Sequence, residues 1–181
     1  MKIYTKTGDT GTTSLYSKQD QTFDRVSKSS LVIKGIGLID ECNACVGLAI
    51  SFVNDTDVQN ILKCVQNDLF CVSAELAARG QTKHVRSAQV EQLESMIDTY
   101  EDKLPKLTKF ILPTGKAGSS CHLARTQIRR AERCVVKIFE RTQDCVSLEI
   151  LAYMNRVSDL MFVLSRFVNQ EDGVEELSPT Y

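Results

Sequence analysis

The chain has 181 residues, a length that suits one domain and buries a full hydrophobic core without disulfide or metal staples. Its 22 Lys and Arg against 23 Asp and Glu leave a net charge of −1, which excludes a generally basic nucleic-acid binder. Prolines occur only at Pro105, Pro113 and Pro179, which argues against a loop-rich sandwich and for long unbroken helices.

Residues 1–30 are polar and rich in Thr, Ser, Gly and Lys, and read as a loop or extended segment. From Leu31 the pattern turns helical, with Ile36, Ile39, Val46, Ile50 and Val53 on one stripe and Cys42 in its gap. A second helix is predicted from about Thr56 to Arg79, with Val58, Ile61, Val65, Leu69, Val72 and Leu76 inward and Gly80 as the stop. A third runs from about Ser87 to Tyr100 on Val90, Leu93 and Ile97. Residues 101–119 form a long connection holding both central prolines. The fourth helix places Cys121, Ala124, Ile128, Ala131, Val135 and Ile138 on one face. The fifth does the same with Ile150, Met154, Val157, Met161, Leu164 and Val168. Such alternating three- and four-residue spacing suits nearly antiparallel helices in a bundle. Residues 170–181 are acidic and are expected to fray.

Seven cysteines, an odd number, cannot form a complete intramolecular disulfide framework. A reducing compartment is expected, with most cysteines as small core side chains. No run approaches the roughly 18 apolar residues of a membrane helix. The polar start MKIYTKTGDTG reads as neither a secretory signal nor an Arg-rich mitochondrial leader. The expectation is a cytoplasmic protein, or a matrix protein if a leader has been removed.

Four segments carry chemistry. The string from Thr5 to Ser14, TKTGDTGTTS, combines two glycines that permit close backbone approach with hydroxyls and Lys6, as a polyphosphate requires. It lacks the GK[ST] ending of a Walker A loop, and a plain polar tail accounts for its composition at least as well. In HLARTQIRRAER, Arg125, Arg129 and Arg133 recur every fourth residue, with His122 one turn upstream and Arg130 and Glu132 beside them. Like charges at that spacing cost a helix a few tenths of a kcal/mol per pair, so the row suggests anionic partners. The competing reading is a solvated face paired with acids of a neighbouring helix. On the fifth helix Asn155, Asp159, Phe162 and Arg166 share a face opposite the core stripe, as ligand groups or as an ordinary polar side. Gly37, Asp40, Ala44 and Gly47 form a narrow line that admits another helix closely. Cys42 and Cys45 have CxxC spacing, but no second pair and only two histidines support a zinc site.

Six strings, TKTGDTGTTSL, RVSK at 25–28, GLIDECNACVG, FILPTG, HLARTQIRRAER and NRVSDLMFVLSR, occur in one order from Ile3 to about Val168. In this the chain resembles the PduO-type ATP:cob(I)alamin adenosyltransferases. The resemblance implies an all-α five-helix bundle (31–169), an N-terminal nucleotide-binding loop (1–30) and a flexible tail (170–181), assembled as a homotrimer with active sites between subunits. It implies transfer of the 5′-deoxyadenosyl group of ATP to cob(I)alamin, giving adenosylcobalamin and triphosphate, with Mg2+ accompanying the phosphates. Thr5, Lys6, Thr7, Gly8, Thr13, Ser14 and Lys28 would bind ATP from one subunit. Arg129, Arg130, Glu132, Arg133 and Asn155 would complete the site from the next. Arg125 would pair with Asp40 across the interface, Phe110 would occupy the lower face of the corrin, and Asp159 would hold the arginine helix. Cys42 stands where the family usually has Leu, and Thr114 where it has a second Gly.

Cob(I)alamin is itself a strong nucleophile, so such a protein needs no Ser-His or Cys-His pair, only positioning and charge stabilisation of the leaving triphosphate. A reductase and an adenosylcobalamin-dependent enzyme are the expected partners, with no nucleic acid and no membrane. The alternative is a non-catalytic ATP-binding trimer or a carrier of finished adenosylcobalamin.

Overall fold

The computed structural model describes residues 2–17, 22–142 and 145–180. The N-terminal segment is extended, as expected, and also paired. Strands β1 (Thr12–Ser17) and β2 (Thr22–Ser27) form an antiparallel hairpin with Thr12 opposite Ser27 and Leu15 opposite Asp24. Leu15 is buried and Asp24 meets Arg79 at 3.6 Å, so the hairpin is anchored to the helices.

Five helices follow: α1 Leu31–Phe52, α2 Thr56–Ala77, α3 Ser87–Glu101, α4 Lys116–Arg141 and α5 Leu148–Glu171. Their starts are written locally. Ser30, Asp55 and Ser147 accept from the backbone N–H of Ile33, Val58 and Ile150, each satisfying an orphan donor of the first turn. Gln89 accepts from the Arg86 N–H at the head of α3. Gly80 closes α2 in the left-handed region (φ 74°), with its N–H on Glu75 O. The connection between α3 and α4 is shorter than 101–119. α4 begins already at Lys116, just after Gly115 (φ 65°).

α1 packs on α2 and α4, α4 on α5, and α5 on α3. Every residue of the predicted α4 and α5 stripes is 3% exposed or less. On α2, Leu62 is fully buried and Ile61 only half-buried, a one-residue rotation of the expected face. Cys42 and Cys121 lie in the core, and burial pushes both thiols up to about 12.

The acidic tail lies back against the connection before α4. Leu177 O accepts from Leu112 N–H at 2.7 Å, and Glu175 O from the Thr114 hydroxyl at 3.4 Å. Arg166, expected on a polar face, is 4% exposed because the tail covers it. Its Nε donates to Glu176 Oε1 at 2.6 Å and one Nη to Pro105 O at 2.8 Å. Among the described residues no helix is long and apolar enough to cross a membrane.

Candidate functional site

The hairpin shapes the N-terminal string. Arg25 of β2 donates to Thr7 O (2.5 Å), to Ser14 Oγ (3.2 Å) and to Thr12 Oγ1, gathering three points of the segment on one guanidinium. Lys28 N–H donates to Gly11 O at 2.9 Å. A Cβ at Gly8 would stand 2.9 Å from Lys28 Nζ, so a side chain there would displace the lysine. Lys6 and Gly11 both adopt positive φ, turning the chain tightly between them. Thr5, Lys6 and Thr7 are exposed, and the Thr5 and Thr7 hydroxyls lie 2.9 Å apart. Thr13, Ser14 and Lys28 line a cavity of about 530 Å3 with Gly37 and Asp40 of α1, floored by Ile33, Ile36 and Phe70.

A second cavity, of about 440 Å3, lies between α3, α4 and α5. Arg125, Arg129, Arg156, Asp159 and Phe162 line it, with Glu94 and Asp98 at its α3 wall. Glu132 accepts from Asn155 Nδ2 at 3.2 Å, Asn155 Oδ1 from Arg156 at 2.8 Å, and Glu94 from Arg156 Nε at 2.8 Å. Arg156 is thereby held charged, its pKa raised first by the Glu94 hydrogen bond. Asp159 pairs with Arg156 on its own helix at 3.6 Å; no described contact joins it to an arginine of α4. The reason is geometric: residues three apart on a helix are neighbours, and Arg156 reaches Asp159 first.

The arginine row is mostly unneutralised. Arg130 meets Glu41 of α1 at 3.2 Å, with both side chains about half exposed. Arg125, Arg129 and Arg133 make no ion pair among the described residues; Arg133 donates to Arg129 O. Burial, then the charge of Arg129, lowers the pKa of Arg125. Guanidinium groups without ion-pair partners keep donors free for an anion. Within one chain Arg125 and Asp40 form no ion pair, and the two cavities share no lining residue. Gly37, Asp40 and Ala44 are exposed along α1. Phe110 stands 80% exposed on the connection before α4.

Three contributors escaped the sequence reading. Arg25 was legible only as part of RVSK, and its role needs the hairpin register that faces it to Ser14. Arg156 sits within NRVSD, but its partner Glu94 is 62 positions away. Ser165 meets the buried His122 from the facing helix.

Comparisons with known proteins agree with this geometry. The chain is 37% identical to a corrinoid adenosyltransferase of Mycobacterium leprae, over 96% of this chain and 94% of that one. It is 38% identical to a corrinoid adenosyltransferase of Bacillus subtilis, over 98% and 91%. Among solved structures it superposes with a TM-score of 0.88 at 30% identity on a variant PduO-type ATP:corrinoid adenosyltransferase from Lactobacillus reuteri, complexed with cobalamin and ATP. That match covers 99% of this chain and all of the other. Five helices in the family's fold and a family model matching residues 3–168 lead to one conclusion: the chain belongs to the cobalamin adenosyltransferase family.

Proposed function

We propose that the chain transfers the 5′-deoxyadenosyl group of ATP to cob(I)alamin at a site built between two subunits of a homotrimer. The observation that carries the reading is the row Arg125, Arg129 and Arg133, which faces outward without carboxylate partners. The hairpin cradle (Thr5, Lys6, Thr7, Gly8, Thr13, Ser14, Lys28) supplies hydroxyls, backbone N–H groups and two amines for the phosphates. Arg129, Arg130, Glu132, Arg133 and Asn155 of the next subunit complete the enclosure. Attack of Co(I) on the ATP 5′ carbon releases triphosphate, and guanidinium groups waiting at the leaving oxygens stabilise the charge that develops there. Asp40 and Arg125, unpaired within one chain, meet across the interface. Phe110 covers the lower corrin face and excludes an axial ligand. Asp159, through Arg156 and Asn155, steadies Glu132 on the arginine helix.

No group of three His, Cys, Asp or Glu side chains forms a metal cage among the described residues. The donor set fits magnesium carried on the phosphates, since Mg2+ keeps several waters and takes few protein ligands. When bound it would offset phosphate charge. Free thiols at all seven cysteines accord with a reducing cytoplasm. A reductase would supply Co(I), and an adenosylcobalamin-dependent enzyme would take the product.

The test is anaerobic mixing of the protein with ATP and chemically reduced cobalamin, following the absorbance change of cobalt–carbon bond formation. Product is expected from the wild type. Arg129→Ala is expected to lower turnover about 10²-fold with the assembly intact by sedimentation. Near-normal turnover of that variant would sink its assigned role.

A further inference from the structure

His122 is 4% exposed, one helical turn before Arg125 on α4. Phe162 of α5 meets its ring edge-to-face at 5.9 Å between centroids. Arg125 Nε donates to His122 Nδ1 at 3.3 Å, and His122 Nε2 lies 3.1 Å from Ser165 Oγ. A guanidinium offers donors only, so Nδ1 is the nitrogen without a proton. A neutral imidazole then carries its hydrogen on Nε2 and donates it to Ser165 Oγ. Ser165 donates its own hydroxyl hydrogen to Phe162 O at 2.6 Å. Every hydrogen in the run from Arg125 through His122 and Ser165 to the α5 backbone is thus assigned.

Burial, then the adjacent Arg125, pushes the His122 pKa down to about 4, so the ring remains an acceptor at ordinary pH. Arg125 lines the cavity between α3, α4 and α5, and neither Nη group has a protein partner among the described residues. Its Nε, by contrast, is occupied. A long side chain with one donor anchored inward loses most of its alternative rotamers and presents a fixed fork.

We propose that His122 is a positioning residue, which with Ser165 anchors Arg125 through Nε and so presents its Nη donors to the anionic substrate and the adjoining subunit. This rests on the adenosyltransferase reading of the cavity, which wild-type turnover tests separately: a wild type that forms no cobalt–carbon bond overturns that reading, whereas the hydrogen-bond run is judged by spectroscopy.

The experiment takes three variants of the full chain, His122→Leu, His122→Asn and Ser165→Ala, with steady-state kinetics and 15N NMR of the wild-type imidazole. The spectrum is expected to show Nδ1 unprotonated and Nε2 protonated. His122→Leu is expected to lose about tenfold in kcat with unchanged sedimentation and helical circular dichroism. In His122→Asn, Oδ1 replaces Nδ1 as the acceptor and most of kcat returns. Ser165→Ala removes the acceptor that anchors the Nε2 hydrogen and lowers kcat by a smaller factor, with KM for both substrates little changed. A protonated Nδ1 in the wild type overturns the proposal. So does a His122→Leu enzyme with wild-type kcat, or a His122→Asn enzyme as impaired as His122→Leu. If His122→Leu does not fold, Ser165→Ala decides, and an unchanged kcat there overturns the proposal.

Discussion

Phe110 is 80% exposed although it is among the most apolar side chains in the sequence. Covering such a ring is worth about 1.5–3 kcal/mol, which becomes available when an apolar ligand face docks on it. Phe110→Ala is therefore expected to leave the ATP KM unchanged and to slow reaction with cobalamin roughly tenfold to a hundredfold, measured by single-turnover absorbance. Gly118 shows the opposite economy of space. A Cβ there would lie 2.3 Å from Asn169 Oδ1. Asn169 has little freedom to retreat, because it is buried and its Nδ2 donates to Thr114 O at 3.1 Å. Gly118→Ala gains about 1 kcal/mol of helix propensity but forces an overpacked contact costing about 1–3 kcal/mol. A net loss is expected, read as a lower Tm. Thr114 supplies a hydroxyl that reaches Glu175 O and ties the connection to the tail.

At the scale of elements, the connection that carries Phe110 is held at both ends by α5. Arg166 donates to Pro105 O near its start and Asn169 to Thr114 O at its end, while the tail pairs with it through Leu112. The Arg166–Glu176 pair fastens the tail over this arrangement, with the Arg166 side chain only 3% exposed. Glu176→Ala leaves that guanidinium buried without its carboxylate. The cost is expected near 2 kcal/mol, below the ~3–5 kcal/mol of fully enclosed pairs, because Glu176 is 30% exposed. Urea unfolding gives the magnitude. Hydrogen exchange at the Leu112 and Val174 amides, both bonded in the folded tail, is expected to accelerate before the helices do.

For the whole molecule, a net charge of −1 conceals separation. The hairpin cradle and the arginine row are the two basic regions, and they line different cavities of one chain. In the proposed homotrimer, a closed ring of identical subunits would bring the cradle of one copy to the arginine row of the next. The consequence is measurable by complementation. Lys28→Ala damages only the cradle and Arg129→Ala only the row. Co-expressed in equal amounts, random assembly restores both intact halves at about one interface in four, so about a quarter of wild-type activity is expected from two impaired parents. No recovery on mixing would place the whole site within one subunit.

The sequence by itself determined the helices and their inward faces, because burial on a helix repeats every 3.6 residues and leaves a local imprint. The stripes of α4 and α5 were legible residue by residue, as was the basic row on α4. The β-hairpin was not, since the six-residue strands TTSLYS and TFDRVS lack a strong apolar alternation and take their register from the partner strand. Only the tertiary structure decided which polar groups meet. Arg156 reaches Glu94 from 62 positions away, His122 reaches Ser165 from 43, and Arg166 is covered by a tail whose acidity alone suggested fraying. Periodicity records whether a side chain faces the core; it holds no information about which distant side chain waits there, and that pairing is set by how whole helices pack.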